Sequence, residues 1–126
     1  IEKSGADAIS AINTIRAMAI DVYAKRPVLS NIYGGLSGPA IHPIAVRVIY
    51  DLYKNVTIPI IGVGGVEDWY DALEFILAGA KAVEVGTAIY TRGIYVFREI
   101  CKGILSYMKN EGYKTISDLV GLAHRI

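Results

Sequence analysis

The chain has one cysteine, Cys101, in 126 residues, which excludes an internal disulfide framework and fits a reducing compartment. It has no excess of either charge: 13 basic and 12 acidic residues leave a net charge of +1. The charges are scattered rather than striped, so no nucleic-acid footprint is expected. No apolar run approaches the roughly 20 residues that span a bilayer. His and Cys pairs at zinc spacing are missing, so no metal site is expected. The opening "IEKSGADA" has no Met, no basic segment and no signal-type apolar stretch. It reads as the end of a helix entering a strand, and an upstream portion is expected.

What the chain does have is apolar surface. Hydrophobic residues make up 53% of it and the mean hydropathy is +0.40, more apolar than an ordinary small domain. A chain this short is expected to hide some of that surface against something else.

The stretch "IPIIGVGGVEDW" runs from four apolar residues into three glycines in four positions. Ile58, Ile60, Ile61 and Val63 favour a buried strand. Gly62, Gly64 and Gly65 let another group approach the main chain. Asp68 suits the N-cap of the next helix. Free amides beside a helix N-terminus form an anion site. A tight turn is the alternative for such a motif taken alone.

"SGADAISAINT" (Ser4 to Thr14) resembles "AGAKAVEVGTA" (Ala78 to Ala88). Gly5 and Gly79 fall where a helix stops and a strand begins. Three strands therefore end in loops rich in Gly, Asn and Thr. Helices fill the gaps. Ile41, Ile44, Ala45, Val48, Ile49 and Leu52 recur at helical spacing, with Pro39 and Pro43 in the opening turn. Ala72, Leu73, Ile76 and Leu77 make a second face, which Gly79 ends. Val96, Phe97, Ile100, Cys101, Ile104, Leu105 and Met108 make a third, which Gly112 ends, and Cys101 reads as core. Ser117 begins a last short helix. The segment from Arg16 to Ser37 is long for a loop and reads as a hairpin-like excursion.

Alternating strands and helices mean parallel pairing with right-handed crossovers. A doubly wound sheet and a (β/α)8 barrel both fit, and both put the ligand at the carboxyl ends of the strands. "GVGG" and "VGTA" lie on successive units, and their amides can converge on one dianion. The polar residues elsewhere have plain readings: His42 at the surface or capping, His124 solvated, and Trp69 packing.

"INT", "NIYGGLSGPAIHPIAVRVIYDLY", "IPIIGVGGV" and "DALEFILAGAKAVEVGTA" together resemble the C-terminal part of dihydroorotate dehydrogenase. The likeness is greatest to the class 1 branch, in its NAD-linked class 1B catalytic subunit, and covers nearly the whole chain. It implies an α/β fold, the last part (about strands six to eight) of a (β/α)8 TIM barrel, with residues 1–126 part of one FMN-binding domain. It implies FMN-dependent oxidation of (S)-dihydroorotate to orotate in cytoplasmic pyrimidine biosynthesis. By motif, Ile12 contacts FMN through its backbone and Gly38 lies against the flavin. Gly64, Gly65, Gly86 and Thr87 bind the FMN phosphate, and Asn13 and Thr14 hydrogen-bond the pyrimidine. The implied partner is a subunit carrying FAD and an iron–sulfur cluster, in a homo- or hetero-oligomer. The family's cysteine or serine base and its flavin-side lysine match nothing here: Cys101 is mid-helix, and Lys25 and Lys81 are not at strand carboxyl ends. No catalytic residue is assigned, and the piece alone is expected to be inactive. Two alternatives stay open: another flavin or phosphate barrel enzyme, and a non-catalytic half-barrel that only holds phosphate.

Overall fold

Three short parallel strands carry the architecture of the computed structural model, which describes residues 1–125. They are β1 (Ile9–Ala11), β6 (Ile60–Val63) and β7 (Ala82–Glu84), in the spatial order β1-β6-β7. The register sets Ile9 beside Ile60 and Ala11 beside Gly62, then Gly62 beside Val83 and Val63 beside Glu84. The glycine-rich strand is thus central, and its run of β-branched residues predicts a buried strand.

Between β1 and β6 the chain makes the excursion expected from its length. Strand β2 (Ile15–Ala17) pairs antiparallel with β5 (Gly34–Leu36). Inside that ribbon, β3 (Ile20–Asp21) pairs with β4 (Arg26–Pro27). The turn Pro39–Ile41 then leads into helix α1 (His42–Asn55), with a proline in each opening turn.

Helix α2 (Trp69–Ala78) starts where the acidic run predicts. The Asp68 carboxylate accepts from the amides of Tyr70 and Asp71 at 2.7 and 3.2 Å. Asp71 answers by accepting from Glu67 and Asp68, closing a capping box. Gly79 ends the helix at φ 124°. Beyond β7 come α3 (Ala88–Arg92) and α4 (Val96–Glu111), and Gly112 ends α4 in the left-handed region. A 3-10 turn at Ile116–Asp118 stands where the last short helix is expected.

One face of the sheet is buried under helices α1 and α2. Ala45, Ile49, Ile60, Ala72, Phe75, Ala80 and Val96 are almost wholly removed from solvent. Phe75, missing from the sequence-predicted face of α2, is the largest of them. Its room is made by β6, because a Cβ at Gly62 would lie 2.7 Å from the Phe75 Cγ. On the opposite face, Ser10 of β1 reaches over β6 and donates to Glu84 of β7 at 3.0 Å.

Three readings are corrected. Cys101 is exposed, not core. With Phe97 and Leu105 it lies on the open flank of α4, along a groove of about 670 Å³ that also touches Val83 and Val85. The helical stripe is real, but it is its Val96, Ile100, Ile104 and Met108 edge that packs against the core of α2 and the sheet. His124 is half-buried, stacked on Tyr50 with ring centroids 3.8 Å apart, and near the Ala78 carbonyl at 2.9 Å. His42 is buried at 7% exposure. Trp69 packs as expected, lying where a side chain at Gly103 would go.

Candidate functional site

The site forms where four chain segments leave their strands. Ile12, Asn13 and Thr14 follow β1, Ser37 and Gly38 follow β5, Gly64 and Gly65 follow β6, and Gly86 and Thr87 follow β7. All of them line a single cavity of about 350 Å³. The eight cofactor and substrate residues expected from sequence are therefore brought to one place, from positions up to 75 residues apart.

The segments interlock. The Ile12 amide donates to the Val63 carbonyl at 2.8 Å, tying the β1 end to the β6 end. The Thr87 hydroxyl donates to Ser37 Oγ at 2.9 Å, tying the β7 end to the β5 end. Gly38 takes φ 88°, and a Cβ there would lie 3.5 Å from the Thr87 methyl. Gly65 takes φ 72°, and a Cβ there would lie 2.6 Å from the Gly38 carbonyl oxygen.

Four of the lining residues leave main-chain donors free. Among the described residues, the amides of Gly64, Gly65, Gly86 and Thr87 meet no protein acceptor. A group of unpaired amides, three of them on glycines, suits an anion. At Gly86 a Cβ would meet nothing within 4 Å, so that position opens onto free space. These features fit a phosphate-bearing cofactor.

At the cavity's other end, Asn13 Oδ1 accepts from the Thr14 amide at 2.7 Å and from its hydroxyl at 3.3 Å. That commits the Asn13 oxygen and leaves its NH2 group without a partner among the described residues. Thr14 is held in turn by Gly35, since any side chain there would occupy the Thr14 hydroxyl's position.

Sequence reasoning missed several wall residues. Ser37, Glu67, Glu84 and Tyr90 also line the cavity. Ser37 lay within the "GGLSG" motif and Glu84 at a polar position of an alternating strand, so both had a local signal. His42 had none, because its partners come from elsewhere in the chain. Its Nδ1 lies 2.9 Å from the Gly64 carbonyl, and its Nε2 lies 3.0 Å from Glu74 Oε2 and 3.8 Å from Asp71 Oδ1. His42, Asp71 and Glu74 thus cluster within 4.8 Å, a grouping the search for zinc spacing did not find. The His42–Glu74 contact is a direct hydrogen bond.

A family model described as dihydroorotate dehydrogenase matches residues 1–108. The chain is 57% identical over 125 residues to the dihydroorotate dehydrogenase B (NAD(+)) catalytic subunit of Pyrococcus abyssi, covering 99% of itself and 42% of that protein. It is 53% identical over 124 residues to the protein of the same name from Methanothermobacter thermautotrophicus, covering 98% of itself and 41% of the relative. A relative from Aeropyrum pernix, whose name carries fumarate in place of NAD, is 54% identical over 123 residues, covering 98% of this chain and 40% of its own. Among solved structures, dihydroorotate dehydrogenase from Eimeria tenella in complex with ferulenol superposes with a TM-score of 0.80 at 32% identity. That match covers 99% of this chain and 33% of the other. The chain spans about two fifths of the length of the curated relatives it matches.

Proposed function

Because the chain belongs to the dihydroorotate dehydrogenase family, we propose that it supplies the FMN-phosphate and pyrimidine contacts of an enzyme oxidising (S)-dihydroorotate to orotate. Residues 1–126 are then the C-terminal part of one FMN-binding (β/α)8 barrel, with β1, β6 and β7 as about its sixth to eighth strands. The polar face that carries Ser10 and Glu84 becomes barrel interior.

The observation that carries this reading is the convergence of eight motif residues on one cavity with unpaired amides. Gly64, Gly65, Gly86 and Thr87 hold the phosphate through main-chain N–H groups. Gly38 and the Ile12 backbone lie against the flavin. Asn13 and Thr14 hold the pyrimidine, the Asn13 NH2 donating to a ring carbonyl. FMN, when bound, supplies a two-electron acceptor for the substrate's C6 hydride. The proton from C5 goes to a base outside this chain, because Cys101 faces the α4 groove rather than this cavity.

The NAD-linked names of many relatives support an electron-transfer subunit bearing FAD and an iron–sulfur cluster as partner, in a hetero-oligomer. A cytoplasmic location accords with pyrimidine synthesis. Among the described residues, no helix is long and apolar enough to cross a membrane. The test is an anaerobic mix of the complete flavoprotein with dihydroorotate. Loss of the flavin's visible absorbance with stoichiometric orotate is expected. An unchanged flavin spectrum would refute the assignment.

A further inference from the structure

His42 begins α1 directly beneath the glycine turn that follows β6. Its two ring nitrogens have only acceptors in front of them: the Gly64 carbonyl at 2.9 Å and the Glu74 carboxylate at 3.0 Å, with Asp71 behind at 3.8 Å. A carbonyl and an ionised carboxylate cannot donate. A neutral imidazole has one N–H, so it would leave one of these contacts as lone pair against lone pair. The ring is 7% exposed, which leaves little access for water to relieve that conflict. The edge-on packing of Phe75, at 4.9 Å and 76°, holds the ring in plane.

The consequence reaches the cavity through one peptide group. The Gly64 carbonyl and the Gly65 amide belong to the same planar, trans unit, so they point in opposite directions. Holding the carbonyl against the buried ring turns the Gly65 N–H away from the ring, and Gly65 lines the cavity. A charged donor on the carbonyl also polarises the unit and strengthens that N–H. Gly64 and Gly65 have φ of 133° and 72°, values glycine adopts without strain, so the turn's own backbone does not fix this peptide and a hydrogen bond to its carbonyl sets it.

We propose that His42 is a positioning residue for the phosphate cradle: its imidazolium donates to Gly64 and to the Glu74–Asp71 pair, and so aims the Gly65 amide at the cofactor's anion. This rests on the FMN reading above. The cation does its work from behind the turn. Its charge is already matched by two carboxylates of α2, so specificity comes from the direction of one N–H rather than from added positive charge in the cavity.

The experiment uses the complete protein, in the numbering used here, with 15N-labelled histidine. Both His42 ring nitrogens are expected to resonate as protonated, each with an observable N–H. A lone-pair-type nitrogen in wild type would overturn the proposal, as would a shift of that nitrogen on adding equimolar Zn²⁺. Flavin affinity is then measured for two variants. His42→Gln is expected to weaken FMN binding roughly tenfold to a hundredfold, the loss of one charge-assisted hydrogen bond. His42→Lys keeps a cationic donor and is expected to restore binding to within about threefold of wild type on the same scale. A Lys variant no better than Gln would count against a charged donor. Wild-type protein that holds no FMN would overturn the cradle itself, whatever the ring nitrogens show, so the two failures are distinct.

Discussion

Gly65 and the Gly38 carbonyl oxygen are in such close approach that a Cβ on Gly65 would stand 2.6 Å from that oxygen. The turn after β6 therefore leans on the turn after β5. Gly65 is bare because of a protein contact as well as a ligand, and its φ of 72° adds a second reason.

This separates two glycines that sequence treats alike. Gly65→Ala is expected to destabilise the complete protein by about 1–3 kcal/mol, through strain and displacement of the Gly38 loop. Gly86→Ala meets nothing within 4 Å and is expected to change stability by less than about 0.5 kcal/mol. Urea unfolding of both variants checks this. If Gly86→Ala also sheds FMN while remaining folded, the amide after β7 serves the phosphate directly.

Asn13→Ala is expected to raise the dihydroorotate KM and leave FMN bound. The Asn13 oxygen is engaged by Thr14, so the group removed from the ligand is the NH2 donor. Losing one hydrogen-bond partner in a closed site costs about 1–3 kcal/mol, or roughly fivefold to over a hundredfold. Steady-state kinetics with flavin quantified in the same sample would check it. Unchanged KM would remove Asn13 from the substrate site.

The parallel strands, the three main helices and the glycines that end α2 and α4 were legible because each depends on local chemistry: β-branched runs, caps and positive-φ glycines. The cavity residues were legible because their motifs sit at strand ends, where this fold class puts ligands. His42 was not, since its burial depends on Gly64 and Glu74, 22 and 32 residues away. Nor was the depth of Phe75, which depends on a glycine in the neighbouring strand. Helical periodicity marks an apolar stripe on α4 but does not say which edge of it is covered, and so it misjudged Cys101.

The Phe75–Gly62 fit gives a test of packing. Gly62→Ala drives a methyl against the Phe75 ring and is expected to cost about 1–3 kcal/mol as overpacking. Phe75→Ala leaves a cavity and is expected to cost about 3–5 kcal/mol. The pair Gly62→Ala with Phe75→Leu is expected to be less destabilised than the sum of its single changes, because the two side chains share one space. Additive unfolding energies would show that they do not.

Glu2 gives a dependence on acid. Its carboxylate accepts from the Thr57 hydroxyl, the Thr57 amide at 2.8 Å and the Ile58 amide at 3.1 Å. These bonds, the hydroxyl first, hold it below its ordinary value of 4.5. A lowered carboxylate contributes stability that is present above the unfolded value and lost as pH falls through the folded one. The stability difference between wild type and Glu2→Gln is therefore expected to be constant from about pH 7 to 5 and to shrink below about 4.5. Urea midpoints at several pH values would reveal it, and a difference growing toward acid would contradict the assigned bonds.

The open flank of α4 bears on the rest of the protein. Phe97, Cys101 and Leu105 are exposed beside Val83 and Val85, and β7 is a sheet edge. An unpaired edge next to an apolar groove calls for a cover. In the proposed barrel that cover is the remaining part of the same domain, closing β7 to its neighbouring strand. A thiol reagent is then expected to label Cys101 readily in chain 1–126 and at least about tenfold more slowly in the complete protein, because labelling follows access to the thiolate. The same short chain, mixed anaerobically with FMN and dihydroorotate, is expected to show no flavin reduction near the complete protein's rate, since general-base help is worth about 10²–10⁴-fold and its base lies elsewhere. Equal labelling in both forms would mean that the groove stays open in the whole protein. Rapid reduction by the short chain would mean that the cavity wall, with Ser37, Glu67 and Glu84 in it, contains the base after all.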